Sequence, residues 1–553
     1  MRPTLRQVRT FTPGGLAAVL LSLACLVAPI AGTGITSDAS TALPDDPSGQ
    51  QPGTTGGVTP GSGTGRPTSS RAGGPGGSTA PGSLAAGPAT PLAPMGTPTG
   101  DTPNSYQGVT ATTVKWGSAA ALNGCGGFDQ SAVQQAYGIA SNDPLSYEVA
   151  TEYFNKYPLT DFPLPPAIRA HVNAKTGYWG RHLIRVFKDS GGYACQDVGR
   201  ANAVAMAEKD KVFGLIMPNN DGPEVPMSLV MAQHHLIHIG RWLTGPLFWR
   251  QRAPYFWDGV HGDGVRENIA LGSWVCRDWV GKKAYNTGDP KVTGMPRKFG
   301  ILYPDDPQFR EVAGYLDREL QRCSMHVKQY AIPFDLQTLE AQAQATVNRM
   351  VADGVTTILS VNDFLTRLLS SEAATNQGWH PEWVLSGWGI GSHPNAYNTF
   401  MDPTQAPNAW AAADAASIHT PAWNRTEAYL AWKKIRPTEE PPDGFENFYA
   451  DFKLLALGLA GAGRNLNPTT FGQGLGLLCH PCPRADGLLP LLTLYPGHWT
   501  NREGFTLVHW NPNKPDPIDP PDSNGNPKKG YFDFLENGRR YGLRITDPDP
   551  FVG

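Results

Sequence analysis

Across residues 297–366 the apolar positions alternate between short continuous runs and a repeat of three to four residues. Residues 299–303 are such a run and predict a buried strand, with Asp305, Asp306 and Pro307 following at once. Asp306 is placed to cap a helix whose first turn holds Pro307, which has no N–H to leave unsatisfied there. Phe309, Val312, Leu316 and Leu320 then recur on one helical face. Residues 327–332 predict the next strand. Asp335 is the expected cap of a second helix, with Leu339, Ala343, Val347, Met350 and Val351 on its apolar side and Gly354 as its stop. Residues 356–361 predict a third strand. Strand–helix–strand–helix–strand with short joints is a right-handed parallel unit, and ligands of open parallel sheets sit beyond the carboxyl ends of the strands. Asp305, Asp306, Asn362 and Asp363 fall there and form a predicted binding lip.

The same alternation occurs earlier in the chain. Strands are predicted at 113–118, 181–187, 212–217 and 236–239. Helices are predicted at 147–157, 195–210 and 224–235, the second with Val198, Ala201, Ala205 and Met206 on its inner face. Two α/β units on one chain imply two lobes, each a sheet with helices on both faces. A strand at 409–416, a helix at 445–461 and paired strands at 505–510 and 530–534 complete the pattern, the last two joined by the proline-rich tip 511–529.

Composition changes the picture mainly at the N-terminus. Much of the excess of 63 glycines and 51 prolines lies before residue 105. Residues 33–107, rich in Gly, Pro, Ser and Thr, cannot bury enough apolar surface to offset ordering their backbone, so they are expected to be a disordered linker. A flexible coil of this length spans about 45–50 Å, which suits a tether through a cell-wall layer. Ahead of it, Arg2, Arg6 and Arg9 precede an apolar run from 16 to 30, the layout of a secretory signal over residues 1–32. Leu21-Ser22-Leu23-Ala24-Cys25 resembles a bacterial lipobox with Ser22 where leucine is usual, which leaves lipid attachment at Cys25 and simple cleavage near residues 31–34 both open.

Setting Cys25 aside, six of the seven cysteines remain, an even number in an oxidising compartment. Proximity within the inferred lobes pairs Cys125 with Cys195, Cys276 with Cys323 and Cys479 with Cys482, among fifteen conceivable patterns. The CHPC at 479–482 also has the form of a redox pair or of half a zinc site. A net charge of −3 with no basic stripe argues against a nucleic-acid partner. The fifteen tryptophans and eighteen tyrosines suit a site that stacks on apolar or flat surfaces. No nucleophile elbow, phosphate loop or dinucleotide fingerprint occurs, so no catalytic residue, cofactor or metal is expected and the chain reads as a non-enzyme. His234, His235 and His238 with Glu224 share a region, but His238 falls on a predicted strand, which makes joint ligation awkward.

VNAKTGYWGR (172–181) is similar to the Asn-Ala-x-Gly-Gly-x-x-Gly-Arg turn of solute-binding proteins of the leucine/isoleucine/valine-binding type, with Thr176 in place of glycine. KFGILYPDDPQFREV (298–312) and RMVADGVTTILSVNDFLTRLLSSEAATNQGWHPEWVLSGWG (349–389) resemble the second-lobe core of the same family. The resemblance implies a type 1 periplasmic-binding-protein fold: two Rossmann-like lobes joined by three crossovers, a venus flytrap closing on a small ligand. It places lobe 1 at 108–258 and 421–504 and lobe 2 at 259–420 and 505–553, with crossovers near Asp258, Thr420 and Gly504. It implies delivery of an amino-acid- or amide-like solute to an ABC permease outside the cytoplasm, by a protein that is secreted or membrane-anchored. A sensor or envelope protein without a transporter, or a secreted enzyme on the same scaffold, is the alternative.

By the same resemblance the first-lobe ligand loops fall on Asn219, Asn220 and Asp221, after Pro218, and on Arg241, Trp242 and Thr244, after Gly240. In the second lobe the stacking aromatic falls on Phe309, the next contacts on Asn362, Asp363 and Phe364, and the acidic contact for an ammonium on Trp388. An indole cannot replace that carboxylate, so either Asp363 or Asp305 substitutes for it or the ligand is not a free amino acid. Arg241 suits a carboxylate or phosphate, and it is also within sequence reach of Asp221 for an internal ion pair.

Overall fold

The computed structural model describes residues 106–120, 143–190, 196–217, 224–240, 246–259, 264–333, 338–386, 395–398, 400–413, 423–442, 444–479, 482, 491–492, 494, 502–516 and 526–546. The signal segment, the linker, Cys25, Cys125 and Cys195 therefore lie outside the described residues.

The first sheet is built from β1 (Thr113–Ala120), β2 (His182–Asp189), β3 (Gly214–Met217), β4 (Ile237–Gly240) and β5 (Phe256–Trp257). All its pairs are parallel, in the order β2-β1-β3-β4-β5. Its central strands are apolar on both faces because helices cover both. Ile216 points into one core cluster, while Leu215 and Met217 point into another beneath the helices Gln196–Glu208 and Glu224–Gln233. On the first of these faces Trp116 meets Phe452 edge-on at 4.5 Å between ring centres.

Phe452 belongs to the helix Phe445–Ala462, whose predominantly apolar sequence is buried on almost every side, with Glu446, Asn447 and Asp451 buried among its apolar residues. That helix lies so close to Pro468–Leu478 that a Cβ on Gly461 would stand 2.5 Å from the Gly474 Cα.

The second sheet contains β6 (Phe299–Pro304), β7 (Lys328–Ile332), β8 (Thr357–Ser360), β9 (Glu382–Ser386) and β10 (Ala409–Ala413), all parallel. An antiparallel edge follows, β11 (Phe505–Pro515) paired with β12 (Lys529–Phe534) and with β13 (Arg540–Tyr541). The order is β12-β11-β10-β9-β8-β6-β7. The helices Gly264–Asp278 and Pro307–Gln321 cover one face, and Leu339–Ala352 and Phe364–Asn376 the other. The chain changes sheets three times: after Trp257, between Ala413 and Trp423, and between Leu494 and Phe505.

Sequence and structure part company at several points. The helix 196–208 buries Ala203, Met206 and Ala207 and leaves Val198 39 % exposed, because a helix full of alanines offers several faces of similar polarity. Val351 is likewise exposed, although Leu339, Ala343, Val347 and Met350 are buried as the spacing requires. Thr338 stands at the N-cap of that helix and its side chain does not cap it, and Asp335 lies outside the described residues. Gly354 ends the helix at φ +70°.

The 172–181 motif is a structural turn. Asn173 Oδ1 accepts the N–H groups of Lys175 and Thr176, at 3.0 and 3.1 Å. Gly177 takes φ +60°, with Arg181 O where a Cβ would go. Thr176 keeps a negative φ, so a β-branched residue is accepted there. Cys276 is bonded to Cys323, tying the helix Gly264–Asp278 to the end of Pro307–Gln321, and Cys479 is bonded to Cys482.

Candidate functional site

Parallel strands end at one edge of each sheet, the edge to which the sequence assigns the expected ligand residues. In the first sheet Met217 and Gly240 are paired neighbours at the carboxyl edge. Asn219, Asn220, Asp221, Arg241, Trp242 and Thr244 themselves lie outside the described residues, as does Trp388, which follows β9. The expected Arg241–Asp221 ion pair falls outside them too.

In the second sheet Leu302, Ser360 and Leu385 are in register, so the residues after them share one edge. Asp306 is the N-cap of Pro307–Gln321, its carboxylate accepting the Gln308 N–H at 2.8 Å. Burial raises its pKa above the usual aspartate value despite the donated N–H bonds. Asp305 is paired with Arg310 on the next helical turn. Asp363 accepts the Thr366 N–H at 3.0 Å and also its hydroxyl, capping Phe364–Asn376. All three carboxylates are thus engaged by their own helices. Phe309 is 5 % exposed and lies in the core with Leu316, Leu359 and Val361, so its ring is taken up by packing. Phe364 opens its helix, and its side chain is outside the described set.

Asn362 is different. It is 1 % exposed, and neither its Nδ2 nor its Oδ1 has a hydrogen-bond partner in the protein. The same holds for Ser360 Oγ and Ser386 Oγ at the ends of β8 and β9, and for Ser118 Oγ near the end of β1 in the other lobe. Buried polar atoms are normally paired, so these exceptions near the carboxyl ends of strands call for an explanation.

Asn362 is among the residues the sequence placed at this edge, and the serines are not. The available signal was that two strands with apolar centres, TILS and EWVLS, each end in serine. Sequence reasoning also missed Arg367, a fully buried guanidinium whose Nη2 donates to the Asn362 carbonyl at 3.4 Å and whose pKa burial lowers to about 10. At the first crossover Gly259 N–H donates to Asp451 Oδ1 at 3.1 Å, joining the hinge to the buried helix of lobe 1.

Of the histidines, His238 is buried on β4, and burial beside Arg252 lowers its pKa to about 3. His234 lies 3.7 Å from Glu208. Among the described residues no group of three or more His, Cys, Asp or Glu is placed to hold a metal ion. A separate cleft of about 380 Å³, lined by Tyr106, His235, Tyr255 and residues 465–469, opens where β4 and β5 begin, at the other end of the first sheet.

No family model and no curated protein matches the sequence. The fold is similar to that of solved structures. An ABC transporter substrate-binding protein from Aeropyrum pernix superposes with a TM-score of 0.52 at 11 % identity, over 79 % of this chain and 100 % of that one. A periplasmic binding protein type 1 from Bordetella pertussis Tohama I gives 0.50 at 14 % identity, over 74 % of this chain and 99 % of that one. The chain therefore has the type 1 periplasmic-binding-protein fold, two Rossmann-like α/β lobes joined by three crossovers.

Proposed function

We propose that this chain is an extracytoplasmic solute-binding protein that captures a small polar or amphipathic ligand, amino-acid- or amide-like, between its lobes and delivers it to an ABC permease. The observation that carries this reading is the set of unpartnered buried polar side chains at the carboxyl edges of the strands: Asn362, Ser360 and Ser386 in one lobe and Ser118 in the other. The fold, shared with a substrate-binding protein of an ABC transporter, supports it, and so does the secretion-like N-terminus. In this reading lobe 1 is 108–258 with 421–504 and lobe 2 is 259–420 with 505–553. Asn219, Asn220, Asp221, Arg241, Trp242, Thr244, Asn362, Asp363, Phe364 and Trp388 border the ligand, whereas Phe309 supports the lobe from its core. Arg367 acts as a positioning residue through the Asn362 carbonyl. The linker holds the protein to the outer membrane face if Cys25 is lipidated and releases it if cleavage falls at 31–34.

The test is thermal shift and calorimetry of the purified chain against amino acids, amides, sugars and nucleosides. A bound ligand raises the melting temperature by mass action, about 2.7 kcal/mol at a hundredfold excess over Kd. Arg241→Ala and Trp388→Ala are expected to weaken that response. Silence across the whole set sinks the proposal.

A further inference from the structure

We infer that the end of the ligand gripped by the second lobe is an uncharged group that both donates and accepts hydrogen bonds, a primary carboxamide or a hydroxyl, and not an ammonium. This deepens the solute-binding reading and rests on it. An ammonium taken out of water needs a carboxylate to meet it, since an unpaired buried charge is far costlier than a buried dipole.

The described part of the second-lobe edge offers three carboxylates, and each is committed locally. Asp305 is paired with Arg310, Asp306 holds the Gln308 N–H, and Asp363 holds both the N–H and the hydroxyl of Thr366. Moving any of them onto a ligand would uncap a helix or break an ion pair.

What the edge leaves unpartnered is neutral. Asn362 presents an amide with both a donor and an acceptor, fully buried, and its backbone is fixed because its carbonyl takes the Arg367 Nη2 bond. Ser360 Oγ, two residues earlier on the face of Ile358 and Leu385, adds a group able to donate and accept. A neutral donor–acceptor group can pair both the Nδ2 and the Oδ1 of Asn362. An ammonium has three donors and no acceptor, so it would leave the Asn362 Nδ2 unpaired. Sites built around buried hydrogen-bonding groups discriminate strongly against ligands that fail to pair them.

The experiment uses the full chain and matched probes measured by calorimetry: isovaleramide against leucine, isobutyramide against valine, and a polyol series to separate the hydroxyl source from the amide source. The neutral member of each pair is expected to bind at least about tenfold more tightly than the zwitterion. Asn362→Leu should lose the neutral ligands by a similar factor, and Asn362→Asp should shift the preference towards ammonium-bearing probes. If leucine or valine binds wild type and Asn362→Leu equally well, this inference falls while solute binding stands. If no probe of any class binds, the solute-binding reading itself falls. The ranking within matched pairs on wild type alone decides the question should either variant fail to fold.

Discussion

Glu382 opens β9 with a carboxylate that has no solvent exposure, and removing its charge is the sharpest test of how the second lobe is held. Arg297 donates to it twice, Nε at 2.7 Å and Nη2 at 2.9 Å. The Thr357 hydroxyl donates at 2.7 Å, and the N–H groups of Tyr285 and Asn286 at 3.1 and 3.0 Å. The guanidinium also lies 4.2 Å over the Trp279 ring. One carboxylate therefore gathers the excursion between the first crossover helix and β6 onto the strands β8 and β9.

In Glu382→Gln one oxygen becomes an amide that competes as a donor, and Arg297 is left buried at 7 % exposure without its counter-charge. Breaking a buried pair from one side costs about 3–5 kcal/mol. Because one acceptor oxygen survives, the lower end, about 3 kcal/mol, is expected. For a lobe of this size each kcal/mol moves Tm by about 2–4 °C, so the shift is about 6–12 °C. Thermal and urea melts of wild type, Glu382→Gln, Arg297→Met and the double variant make a complete cycle. The double variant should recover part of the loss, since replacing both members of a buried pair is far milder than removing one. A loss below 1 kcal/mol for Glu382→Gln, or strict additivity in the cycle, refutes the reasoning.

Gly461→Ala should destabilise by about 1–3 kcal/mol in chemical melts, because its new methyl collides with backbone atoms of Gly474 that have no rotamer to yield. Asp306→Ala removes the cap of Pro307–Gln321 and should cost about 1 kcal/mol, whereas Asp306→Asn should cost much less. Opening the Cys276–Cys323 bond, by Cys276→Ala with Cys323→Ala, removes a link across 47 residues, for which chain entropy alone predicts about 4 kcal/mol; an unchanged Cm would contradict it. His238 is neutral in the folded chain down to about pH 3, while in the unfolded chain it takes up a proton near 6.5. Stability should therefore fall as pH drops from 6.5 towards 3, by up to about 1.4 kcal/mol per unit, and His238→Phe should flatten that slope in urea melts at pH 4–7.

The local grammar was legible wherever residue type and periodicity pointed the same way. Asp306-Pro307 announced a helix start, Gly354 a helix stop, and the runs at 299–303 and 212–217 announced buried parallel strands. In each case the requirement is local: an N–H without a partner, a left-handed φ, a strand covered on both faces. The alanine-rich helix 196–208 was misoriented for the opposite reason, since its several near-equivalent faces are ranked only by what packs against them.

The site divides in the same way. That candidate ligand residues fall after particular strands follows from chain direction alone, so Asn362 could be named as a candidate from the sequence. Which polar groups remain available there is decided by tertiary contacts. Asp305 and Asp363 are spoken for by Arg310 and Thr366, Phe309 is absorbed into the core, and Arg367 lies buried behind the Asn362 carbonyl. Sequence order determined where the lip of the clamshell runs. The competition among neighbours for each hydrogen bond, which exists only once the strands and helices are assembled, decided what that lip can hold.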